Sequence, residues 1–153
     1  MKRIAYFILV LILFHSCKNE PIFPIEPKIE FISVEPAVIQ DFGDVEIKLS
    51  YTDGDGDLGN EEADSTNFNL FLKDLRPGLP INGYDGILKY NIPNLTTDTK
   101  KPSIQGTINI NVLSLLRLQA TKPADTLAFE IWIQDRAGNI SNTIQTKPII
   151  ILP

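Results

Sequence analysis

The chain has 153 residues, with 14 basic and 19 acidic side chains, one cysteine, one histidine and a formal net charge of −5. That length suits a single domain with a core of its own. The acidic excess repels phosphate backbones and no basic cluster offsets it, which argues against nucleic acid as a partner.

At the N-terminus, Lys2 and Arg3 precede eleven unbroken apolar residues, Ile4 to Phe14. At about 1.5 Å per helical residue this run is too short for a hydrocarbon layer of about 30 Å. It has the form of a secretory signal over residues 1–16, which takes no part in the fold. The junction Ser16–Cys17 resembles a bacterial lipoprotein signal, in which cleavage precedes the cysteine and its thiol carries diacylglycerol. Phe14 and His15 depart from the small or aliphatic residues usual there. The resemblance implies lipidation of Cys17 and attachment to the membrane through acyl chains. The alternative is an ordinary secretory signal with an incidental cysteine.

Cleavage there leaves 137 residues carrying twelve basic and nineteen acidic side chains, a charge of −7. The only histidine, His15, leaves with the signal, and a lipidated Cys17 leaves no free thiol. Zinc sites of the usual ligand types and Ser-His or Cys-His nucleophile pairs are thereby removed. The expectation is a protein that is not an enzyme; a hydrolase working through two carboxylates is the remaining catalytic route.

Residues 17–28 contain Pro21, Pro24 and Pro27 at three-residue spacing, the pattern of a stiff, extended tether. From residue 29 to 153 the hydrophobic period is two. Predicted strands are Ile29–Val34, Val45–Tyr51, Phe68–Lys73, Gly86–Ile92, Thr107–Val112, Thr126–Asp135 and Asn142–Leu152, separated by Gly- and Pro-rich turns. Leu113–Ala120 is the one stretch with helical spacing. Seven short strands with one apolar face each predict an all-β, antiparallel β-sandwich.

Two motifs carry a further resemblance. "FEIWIQDRAGNISNTIQTKPIII" is similar to the last hairpin of bacterial immunoglobulin-like domains, and "LSYTDGDGDLG" resembles the acidic loop of uncharacterised lipoproteins of the phylum Bacteroidota. The resemblance implies an all-β, antiparallel immunoglobulin-like β-sandwich over residues 29–153 and an envelope location. Lys18 stands where an Asp would resemble an inner-membrane retention signal, so the outer membrane is the expected destination.

The stretch Tyr51–Asp64 holds six carboxylates and no basic residue. Counted as a twelve-residue calcium loop from Tyr51, it puts Asp53, Asp55 and Asp57 at ligand positions, Gly56 at the turn, Leu58 at the aliphatic position and Glu62 at the end. Position 1 is then Tyr51, a residue of the strand's apolar face. Counted from Asp53, the loop ends on Asp64, but Leu58 falls where glycine belongs. Asp53, Asp55 and Asp57 alternate with glycines and can converge on a hard cation such as Ca2+, with Glu62 or Asp64 closing the cage. The competing reading is a solvated turn, since Asp and Gly are also what tight turns use.

Trp132 falls on the face opposite Leu127, Phe129, Ile131 and Ile133, as a stacking platform for a sugar or a partner side chain, or as a residue covered by a loop. Ser65, in "DST", resembles a short O-glycosylation acceptor of Bacteroidota. These readings converge on a lipid-anchored envelope protein that binds an unidentified protein or glycan as an accessory module. A calcium-stabilised structural module without its own ligand is the alternative.

Overall fold

The structure is a computed structural model that describes residues 23–60, 67–81, 83–96, 103–119 and 121–153. The signal segment, Cys17, the first part of the tether, Glu62, Asp64 and Ser65 lie outside the described residues. Every regular element described is a strand, ten in all: β1 Lys28–Glu35, β2 Val38–Gln40, β3 Gly43–Asp53, β4 Leu70–Asp74, β5 Ile87–Tyr90, β6 Ile104–Leu115, β7 Asp125–Leu127, β8 Phe129–Ile133, β9 Ile144–Gln145 and β10 Ile149–Leu152.

The strands form three sheets, ordered β1-β3-β6, β2-β10-β7 and β5-β4-β8-β9. All pairings are antiparallel except β2 with β10, which is parallel. Alternation explains the core. Val45, Ile47, Leu49 and Tyr51 of β3 meet Leu70 and Leu72 of β4, Phe129, Ile131 and Ile133 of β8, and Ile149 and Ile151 of β10 in one buried cluster. Burying an aliphatic side chain of this kind contributes about 1.5–3 kcal/mol, so one shared cluster can hold three small sheets together.

Three expectations need correction. The strand count is ten, because β2 was not foreseen and two predicted strands each divide in two. β7 and β8 part at Ala128, where the chain passes from β10's sheet to β4's; β9 and β10 part at Thr146–Pro148 in the same way. At this crossing Thr146 N–H donates to Phe129 O at 2.9 Å and Phe129 N–H to Thr146 Oγ1 at 3.0 Å, so the backbone stays paired through the switch. Residues 125–152 are therefore one long hairpin whose two halves belong to different sheets.

Leu113–Leu115 is not helical but continues β6, which pairs with β3 from Asp53↔Ile104 to Gly43↔Leu115. An irregularity between Gly43 and Val45, with Ser114 at φ 54°, breaks the alternation there, so that Ser114 joins Leu113 on the exposed side and Leu115 is buried. The end of the expected tether also differs from a free spacer. Pro27 is buried, and the backbone of Phe23 and Pro24 lies directly against Gly54.

Candidate metal centre

The inward row of β3 reads Val45, Ile47, Leu49, Tyr51 and then Asp53. The strand runs two residues past the last apolar side chain, so period-two alternation delivers a carboxylate into the interior. Asp53 is fully buried. Its Oδ2 accepts the Leu58 N–H at 2.9 Å, while Oδ1 is buried and has no donor among the described residues.

Beyond Asp53 the chain bends through Gly54, Asp55 and Gly56, the last at φ 71°. Oxygens of Asp53, Asp55 and Asp57 come to lie within 4.8 Å of one another. Oxygen ligands sit about 2.3–2.6 Å from Ca2+, so opposite ligands stand about 5 Å apart and the trio fits around one ion. Asp57 repeats the pattern of Asp53, with Oδ2 accepting the Ala137 N–H at 2.9 Å and Oδ1 buried without a partner.

Burial, with Asp55 and Asp57 as nearby like charges, pushes the Asp53 carboxyl up to about 6. Burial first, then Asp135 and Asp55, raise that of Asp57 as well. Asp53 and Asp57 therefore hold their negative charges at a cost when no cation is present. Among the described residues no ion pair reaches Asp53, Asp55, Asp57 or Asp135.

The turn at the tip of the long hairpin is the support that sequence reasoning missed. Asp135, two residues past the end of β8, continues that strand's inward row with an acid as Asp53 ends that of β3, and is buried. Its two oxygens accept the backbone and side-chain N–H groups of Asn139 at 2.8 Å, closing the "DRAGN" turn. That turn offers the Ala137 N–H to Asp57, and Arg136 Nη1 donates to Gly59 O at 2.7 Å. The signal was present: Asp135 follows Ile133 by two residues, as Asp53 follows Tyr51. From the other side, Leu95 N–H donates to Leu58 O at 3.4 Å and the Thr96 hydroxyl to Gly56 O. Gly59, at φ 90°, lies so close to Pro93 that no Cβ would fit. The loop is thus gripped from several segments rather than free in solvent.

Tyr51 is buried with its ring against Gly106, as part of the apolar row of β3. Trp132, half-buried, stacks on Phe71 with ring centroids 5.4 Å apart and 11° between planes. One face of the indole is thereby occupied, which leaves less of it for a sugar ring.

At the opposite end of β3 and β6, roughly 30 Å away at about 3.3 Å per residue, the same row-end pattern has a different solution. Asp74 ends the inward row of β4 and Asp125 begins β7, both buried. Arg76 lies between them, with Nη2 2.6 Å from Asp74 Oδ2 and Nη1 3.2 Å from Asp125 Oδ2. A cavity of about 500 Å3 beside Arg76 is lined by Tyr84, Leu88 and Leu113–Leu118, with no carboxylate on its wall. No family of known proteins, no curated protein and no solved structure matches the chain.

Proposed function

We propose that the protein is a non-catalytic, lipid-anchored module of the cell envelope whose acidic loop holds a Ca2+ ion. The carrying observation is Asp53 Oδ1, a fully buried carboxylate oxygen with no donor, beside oxygens of Asp55 and Asp57 within 4.8 Å. A buried acceptor left unpaired costs about 1–3 kcal/mol, more when charged, and a hard divalent cation removes that cost by coordination. Attachment through Cys17 at the outer membrane and an immunoglobulin-like sandwich, here divided into three sheets, complete the reading. The absence of histidine after residue 15 and the separation of the acidic trio from the apolar cavity favour binding over hydrolysis.

Thermal melting in about 10 mM Ca2+ against melting in EDTA tests this. At a Kd near 10⁻⁴ M, as for extracellular modules, the ion adds about 2.7 kcal/mol, or on the order of 10 °C. Asp53→Asn removes the buried charge, so it raises the melting temperature in EDTA and loses most of the response to Ca2+. Equal melting of the parent protein in the two buffers ends the reading.

A further inference from the structure

Gly54 sits between two of the three carboxylates, and a Cβ built on it would collide with the carbonyl oxygens of both Phe23 and Pro24. The N-terminal segment therefore crosses the loop at a residue that has no side chain to block it. Among the described residues no hydrogen bond ties residues 23–27 to the domain. What holds the segment is contact with Gly54 and the burial of Pro27. Its seat then depends on where the Gly54 backbone lies, one residue beyond the Asp53↔Ile104 end of the β3–β6 ladder and flanked by two of the carboxylates. Gly54 O also accepts the Ser103 hydroxyl at 3.1 Å, a hydrogen bond that holds this peptide from outside the loop.

From this we infer that the acidic loop is a cation-dependent clasp for the N-terminal segment. With the ion bound, Asp53, Asp55 and Asp57 are drawn together and the Gly54 peptide lies flat beneath Phe23 and Pro24. Without it, repulsion among the three carboxylates spreads the loop, displaces Gly54 and frees residues 23–27 up to the start of β1. The inference rests on the Ca2+ reading above, but makes a separate claim about what the ion controls: how firmly the domain is held to whatever lies before residue 23.

A nitroxide at residue 25 reads this directly, since Ile25 is exposed. The label is placed by Ile25→Cys in a Cys17→Ser background, and electron paramagnetic resonance spectra are recorded in Ca2+ and in EDTA. The expected result is a broad, immobilised spectrum in Ca2+ that sharpens in EDTA. Gly54→Ala should give the sharp spectrum in both buffers while keeping the Ca2+ shift in melting temperature. Identical spectra in the two buffers, with the melting shift intact, overturn the clasp and leave the Ca2+ site standing. An immobilised spectrum in Gly54→Ala also overturns it, because the seat is then not on Gly54. Loss of the melting shift in the parent removes the Ca2+ site and the clasp together.

Discussion

A single carboxylate, Asp53, sets the chemistry of the loop through its position in a strand. Alternation would have placed another aliphatic residue there, and a carboxyl in that position is raised to about 6 by burial and by its acidic neighbours. An unfolded Asp titrates near 3.9. Because the folded value is the higher one, the folded state takes up the proton first, and ionisation of Asp53 opposes folding as pH rises through 6. The metal-free protein should therefore melt at a higher temperature as pH is lowered from about 7 towards 5, the opposite of the usual ion-paired aspartate. Asp57 shifts in the same direction and reinforces the trend. In excess Ca2+ the slope should reverse, since protons then compete with the ion. A melting series across that pH range in EDTA and in Ca2+ checks both signs.

Among the elements, inward rows that finish on an acid occur at both ends of the molecule, and each end balances the charge differently. Beside Asp74 and Asp125 the balance is a protein cation. Burial works against the charge on Arg76, but its bonds to the two carboxylates more than offset this and its pKa is raised. Replacing it by Met leaves two buried carboxylates without a counter-charge, which should cost about 3–5 kcal/mol in urea unfolding. A loss below about 1 kcal/mol would mean the two acids are relieved by water or protonation instead. At the Asp53 end the nearest cation, Arg136, spends its guanidinium on Gly59 O and forms no ion pair with the acids among the described residues, so a soluble ion is the natural complement.

How far the elements were legible follows the same physics. β1, β3, β4 and β8 were readable because each shows a polar and an apolar face. β2 was not, because three residues between Pro36 and Gly43 carry too little alternation to register. Leu113–Ala120 suggested a helix because leucines recur there at mixed spacing. In the structure Leu113 and Leu116 point outward while Leu115 is buried, an alternation disturbed at Ser114. The acidic trio could be read from its Asp-Gly repeat. Its supports, Asp135 and the Ala137 N–H, lie about 80 residues away, a separation over which local pattern says nothing.

For the whole molecule, the decisive feature is that β10 is the middle strand of its sheet, with β2 on one side and β7 on the other. Ile149 and Ile151 are fully buried. Removing residues 149–152 would expose two strand edges and delete part of the core at once, so the shortened chain should lose the cooperative unfolding transition by circular dichroism. Retention of that transition would mean that the other two sheets form a self-sufficient core. The same arrangement imposes an order in time. β2 pairs with residues made about 110 positions later, Val38 with Ile150, so at about 5–20 residues per second it waits on the order of 5–20 s for its partner. During that interval the emerging chain carries an unpaired strand edge, and the third sheet cannot close until β10 has been made.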